Sequence, residues 1–386
     1  MLFEEKDRKY QGPKTYIEND FDYLDRSARK EAARVREFLN EWLECFPEDE
    51  ARELISRIRS GDKKAFDSAT FEIVLYALVR GLGGQLEVHP KLENGSEKRP
   101  DFLVQMPNGE EFYLEAVLAS EYSEAERTAK KRKNVVLESI EKLDSPNFFI
   151  GISAKGNPDT PPPGKALRGE LSNWLSSLDP DAVAMDVEEN GPEQIPSMTW
   201  EHAGWRVEFE AIPIKPEKRG KGQRVIGVLS GGARWVNAWE TIRNAVRSKG
   251  GRYGELKTPF IVAINVDGHS LDRIDEVQAL FGQEKYVYNR TNPDGHPEVK
   301  RTPNGAWFGP DGAQYTRVSG VWIFGGLNPW NQVTRKNTLY FNPWAQFSVP
   351  ASLQRVNHAM AMDNKMEWIE GERLSTLLGL PESWPE

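Results

Sequence analysis

Residues 98–118 read KRPDFLVQMPNGEEFYLEAVL. Two alternating apolar runs, DFLVQ and FYLEAVL, flank the turn residues Asn108 and Gly109, which is the pattern of a β-hairpin. Each run carries an acid in otherwise apolar company: Asp101 directly after Pro100, and Glu115 on the returning strand. Whether the two meet depends on register, because a slip of one residue moves every side chain to the opposite face. A three-residue loop sets Phe102 against Ala116, Val104 against Leu114 and Met106 against Phe112, so that one side of the ribbon is wholly apolar. A two-residue loop sets Phe102 against Glu115 and Val104 against Tyr113, mixing buried and polar positions. The apolar pattern therefore selects the three-residue loop. In that register Leu103 opposes Glu115, Asp101 opposes Val117, and the two acids are diagonal neighbours on one face, about 7–8 Å apart at the backbone. Two carboxylates so placed suit a hard divalent cation that keeps several waters.

Working outward, SARKEAARVREFLNEWLEC and PEDEARELISRIRSG have apolar residues at helical spacing and predict two N-terminal helices, the second stopped at Gly61. DKKAFDSATFEIVLYALVRGLGG is a further helix ending at Gly81, Gly83 and Gly84, and LEVH is a short strand before the hairpin. After the hairpin, Ser123 and Glu126 have capping-box spacing at the start of a helix running to Leu143, and NFFIGISA reads as a buried strand. The order is helix, three strands, helix, strand. On the first of these helices Glu72 shares its face with Ala65, Ala69, Leu75, Tyr76 and Val79. An unpaired acid buried there costs several kcal/mol, so a backbone cap, an arginine or a metal is expected beside it.

This combination resembles the PD-(D/E)XK nuclease superfamily over roughly residues 63–154. By the resemblance, Glu72 is the acid of the first helix, Pro100 and Asp101 are the PD element, and Glu115 is the (D/E) of the third strand. The superfamily's lysine, two residues after that glutamate, is here Val117. Some members supply the cation from the following helix. In SEAERTAKKRKNVVLESIEKL, Arg132 and Lys133 fall near the inward stripe, whereas Lys130 and Lys131 fall on the outer face. Nine helical residues cover ~13.5 Å and five strand residues ~16.5 Å, which brings Arg132 and Lys133 level with Glu115. Lys133 is the expected replacement, with Arg132 able to stabilise charge; Lys98 and Arg99 are further candidates. The resemblance implies Mg²⁺ or Mn²⁺ held by Glu72, Asp101 and Glu115. It also implies phosphodiester hydrolysis as an endonuclease or exonuclease, DNA before RNA as the partner, and a role in genome defence or DNA processing, with a homodimer admitted. The alternative is a fold of this kind that no longer cuts and binds nucleic acid or protein; Val117 favours it.

The expected architecture is α/β: an N-terminal helical segment (1–62), a restriction-endonuclease-like core (63–155), a C-terminal α/β region (156–350) that extends the same sheet or forms a second domain, extension being favoured by the short linkers, and a tail with a helix (351–386). Pro/Gly loops follow Ala154 and surround residue 190, and PFIVAIN, RVSGVWIF and TLYFN continue the strands. The net charge of -9 confines any nucleic-acid contact to local basic patches. Two are present: the loop PIKPEKRGKGQR (213–224), and Arg247, Lys249 and Arg252 beside Tyr253, where helix-end charges complementing the helix dipole explain the cations equally well. Cys45, the sole cysteine, cannot make an internal disulfide, and the start lacks an apolar leader, so a cytoplasmic location is expected. No apolar run is long enough to span a bilayer. The histidines 89, 202, 269, 296 and 358 lack zinc-site spacing.

Overall fold

The computed structural model describes residues 1–221, 224–231, 237–268, 271–288, 296–362 and 365–386. Helix α2 (Lys30–Leu43) lies within the first expected helix, and a short α1 (Asp20–Arg26) precedes it. The break has a cause: Arg36 Nη1 donates to the carbonyls of Leu24 and Ser27 at 2.6 and 2.8 Å, and Ala28 N–H donates to Tyr10 at 2.7 Å. Those groups are thereby satisfied outside a helix. Next come α3 (Glu48–Arg59) and α4 (Lys63–Gly81), the latter capped by Asp62, whose carboxylate accepts from Ala65 N–H at 2.9 Å. From Phe66 to Val79 all but one residue of α4 is buried, so the helix packs on nearly every side and Glu72 is only 8% exposed.

Strands β1 (Gln85–Val88), β2 (Phe102–Gln105) and β3 (Glu111–Ser120) form the antiparallel meander. Phe102, Val104, Met106, Phe112 and Leu114 share the apolar face, as the alternation requires. The partners differ from the expected ones by two residues: Phe102 pairs with Leu114, Leu103 with Tyr113 and Val104 with Phe112. The loop does have three residues, but they are Pro107, Asn108 and Gly109. Met106 N–H donates to Glu110 O at 2.8 Å, Gly109 N–H donates to Met106 O at 2.9 Å, and Gly109 has φ +84°. The expected register placed Pro107 in the ladder, where it has no N–H to give; as a turn residue it loses nothing. A shift of two preserves the faces and changes the neighbours. One step beyond the Phe102–Leu114 pair, Asp101 stands across from Glu115 rather than Val117.

Residues 13–18 and 122–235 form a separate unit. It contains α5 (Glu124–Ile140), β4 (Phe148–Gly156), α6 (Gly164–Ser176), α7 (Pro180–Asn190), β5 (Ser197–His202), β6 (Trp205–Pro213) and β7 (Ile226–Gly231). The Ser123–Glu126 capping box is present. Among the described residues the strands make a sheet in the order β5-β6-β4-β7, with a core under α5 and α6. The helix and strand expected to complete the nuclease-like core thus belong to this other sheet. Helix α7 has no fully buried residue, and its Val183 packs partly buried against the core under α5 and α6.

The first unit resumes with α8 (Ala238–Gly250) and β8 (Phe260–Asp267), then α9 (Arg273–Phe281), β9 (Gly320–Gly325), β10 (Asn337–Phe341), β11 (His358–Met362), β12 (Lys365–Ile369) and α10 (Leu374–Leu378). Strand β8 pairs in parallel with both β3 and β9. Strands β1–β3 and β8–β12 form one mixed sheet ordered β1-β2-β3-β8-β9-β10-β11-β12, so part of the C-terminal half does extend the meander's sheet. One face packs against α2, α3, α4 and α10; the other packs against α8 and α9. Trp307 and Trp322 are fully buried in these cores. No helix among the described residues is long and apolar enough to cross a membrane.

Candidate functional site

Glu115 lies in the middle of the large sheet, opposite Val262 of β8, and is 2% exposed. A carboxylate at such a position needs partners. They come from α8 and the turn after it. Ala238, Ile242, Ala245 and Val246 form the buried stripe of α8, and Lys249 continues it, three residues after Val246 and four after Ala245. Its ammonium donates to Glu115 Oε1, while Tyr253 Oη donates to Oε2 at 2.5 Å. Burial, then the charge of Glu115, push the Tyr253 phenol far up, so it acts as a fixed donor.

Asp101, at the entry to β2, is on the same face. Its Oδ2 accepts from the backbone N–H of Ala116 at 2.6 Å. Burial raises its carboxyl well above the ordinary range, and the charges of Glu115 and Glu72 raise it further; the Ala116 amide and Lys249 pull the other way. The acids are thus close enough to repel one another.

Glu72 feels that field but is held differently. Both its oxygens accept from Arg57 of α3, Oε1 from Nη1 at 2.8 Å and Oε2 from Nη2 at 2.7 Å, a planar two-bond pair. Its bonds to Glu72 leave the Arg57 guanidinium raised despite the opposing effect of burial. Among the described residues, no three His, Cys, Asp or Glu side chains have metal-holding geometry. Asp101 and Glu115 are brought together, and Glu72 adjoins them as the partner of Arg57.

Arg132 and Lys133 lie on α5 of the second unit. There Arg132 Nη1 donates to Pro158 O at 2.9 Å and Lys133 Nζ to Gly156 O at 2.7 Å, with burial lowering the Lys133 ammonium. The cation that reaches Glu115 is Lys249's. Lys249 and Tyr253 both belong to the basic stretch of the sequence, but the tie between Lys249 and Glu115 spans 134 residues and has no local signal. Lys98 is exposed, and Arg99 Nη1 lies 3.4 Å from His89 O. In the loop 213–224, of which residues 222 and 223 lie outside the described set, Arg219 pairs with Asp181 and Arg224 with Glu141. His269 also lies outside the described residues.

A histidine that the sequence reading gave no role at the site borders it. His89, just after β1, places Nδ1 2.7 Å from Glu50 Oε2 and Nε2 3.8 Å from Asp101 Oδ1. Comparison with protein-family models, with curated proteins and with solved structures finds no match.

Proposed function

We propose that the protein is a metal-assisted phosphodiester hydrolase acting on nucleic acid, DNA first, at Asp101 and Glu115. The observation that carries the reading is a carboxylate pair, Glu115 buried and Asp101 partly buried, close enough to repel and with a lysine at its side. The donor set suits the cofactor: magnesium takes one or two carboxylates, waters and substrate phosphate rather than a closed protein cage. Asp101 and Glu115 would hold it, and Glu72 would join only by releasing Arg57. When bound, the ion polarises the phosphate and lowers the pKa of an attacking water.

The chain's own residues do the rest. Tyr253 fixes the Glu115 carboxylate, and the Ala116 amide fixes one oxygen of Asp101. Lys249 supplies the positive charge that Val117 cannot, offsetting charge that develops on the phosphate. The element order supports the reading as well. Omitting residues 122–235, the order is α4, β1, β2, β3, α8, β8, with β8 parallel to β3. That is the helix, three-strand meander, helix, strand order of restriction-endonuclease-like cores, with α8 and β8 in the places first assigned to α5 and β4.

A second reading, a scaffold that binds without cutting, is favoured by one observation: Arg57 and Lys249 already neutralise two of the three acids. Cleavage of plasmid and single-stranded DNA with Mg²⁺ or Mn²⁺ separates the two. We expect Asp101→Ala to lower the rate at least 100-fold. Equal cleavage by both proteins, or none by either, would overturn the assignment of this site.

A further inference from the structure

His89 is placed by its backbone as well as its ring. It has φ +47°, a left-handed conformation uncommon for residues other than glycine, and its N–H donates to the carbonyl of Asp101 at 2.9 Å. The two residues are therefore held side by side.

The ring's two nitrogens have different surroundings. Nδ1 is 2.7 Å from Glu50 Oε2 on α3, and an ionised carboxylate only accepts, so Nδ1 carries the hydrogen. In the neutral ring Nε2 then presents its lone pair toward Asp101 Oδ1, 3.8 Å away. That distance is beyond a hydrogen bond. The other Asp101 oxygen is already taken by the Ala116 amide. A lone pair facing a carboxylate oxygen across that gap calls for a bridging proton, water or cation, and a cation is the one that both donors would hold directly. Two donors each about 2.1 Å from one ion stand no more than ~4.2 Å apart, and this pair falls inside that limit. A carboxylate behind an imidazole is also the usual support for a metal-binding histidine, because it fixes the tautomer and the ring plane. With side chains 33% exposed at His89 and 20% at Asp101, an ion and its waters can reach the gap.

We propose that His89 Nε2 and Asp101 Oδ1 form a mixed nitrogen and oxygen seat for a first-row transition ion, Mn²⁺ or Zn²⁺, in preference to Mg²⁺. Imidazole nitrogen is a poor ligand for magnesium, which favours oxygen and sheds water reluctantly. The inference rests on Asp101 belonging to the functional site and goes beyond that reading in naming a nitrogen ligand and a metal class.

The test uses the full-length protein with MnCl₂, ZnCl₂ and MgCl₂ in separate calorimetric titrations, and pulsed EPR of the Mn²⁺ form. Asparagine tolerates left-handed backbone, so His89→Asn keeps the local conformation, and His89→Gly serves as the second variant. The wild type is expected to bind Mn²⁺ at least tenfold more tightly than Mg²⁺ and to show nitrogen coupling to the ion. Both variants should lose the coupling and at least tenfold in Mn²⁺ affinity, with Mg²⁺ affinity within about twofold of wild type. Glu50→Gln, which still accepts from Nδ1, should lose less. No nitrogen coupling in the wild type, or unchanged Mn²⁺ affinity in folded His89→Asn, would overturn the seat. Asp101-dependent cleavage without nitrogen coupling would leave the hydrolase standing; nitrogen coupling with cleavage indifferent to Asp101 would leave only the seat.

Discussion

Asp101 is held at a free-energy cost that depends on pH. Its carboxyl is raised in the folded protein by burial and by Glu115 and Glu72. As pH climbs from the ordinary aspartate value, the unfolded chain releases this proton before the folded one does. Stability linked to this group is therefore complete below about 3.9 and is lost as pH rises toward the raised folded value. Asp101→Asn removes the loss. Thermal unfolding is expected to show the variant above wild type at pH 8, by a few degrees at ~2–4 °C per kcal/mol, with the gap closing toward pH 4. A gap that widens toward pH 4 would contradict the assigned cause. The pairing of Asp101 with Glu115 was legible because alternation marks faces, and faces survive a two-residue error in register. The error arose from treating Pro107 as a ladder residue. His89 was not legible: its partners Glu50 and Asp101 come from other elements, and a neighbour pattern in sequence carries no trace of them.

At the scale of elements, the end of α8 matters most. Lys249 is the last polar step of an otherwise apolar stripe and ends on a glutamate that is 2% exposed. Removing one partner of a buried ion pair is far more damaging than never having had it. Lys249→Met is expected to cost about 3–5 kcal/mol in urea unfolding, and Lys249→Met with Glu115→Gln to recover most of that. An additive double variant would mean that the pair is not energetically coupled. Both α5 and α8 have a credible helical period, so period alone could not choose which helix follows β3 in its sheet. The strands held the better clue. Strand β8 is buried at seven successive positions, as a central parallel strand should be, whereas β4 turns partly exposed and then exposed toward its end. A run apolar on both faces belongs in the middle of a mixed sheet, and that signal outweighs adjacency in the chain.

At the scale of the molecule, residues 122–235 interrupt the first unit between β3 and α8. From Ala238 to Lys249 the helix covers ~16.5 Å, and from Glu115 to Glu121 the strand covers ~20 Å. Since Lys249 meets Glu115, the interruption leaves and returns at one end of the sheet. Replacing residues 122–235 with a short Gly/Ser linker is expected to leave a cooperatively unfolding first unit, readable by calorimetry. A product without a thermal transition would show that the second unit is needed for the first to fold.

Synthesis gives this arrangement a clock. Glu115 leaves the ribosome 134 residues ahead of Lys249 and 138 ahead of Tyr253. At ~5–20 residues per second that interval is roughly 7–27 s. Throughout it the glutamate has neither counter-ion nor phenol, and β3 has no β8 along its edge. A ribosome-bound chain halted anywhere between residues 122 and 235 would therefore carry both acids and still lack the site.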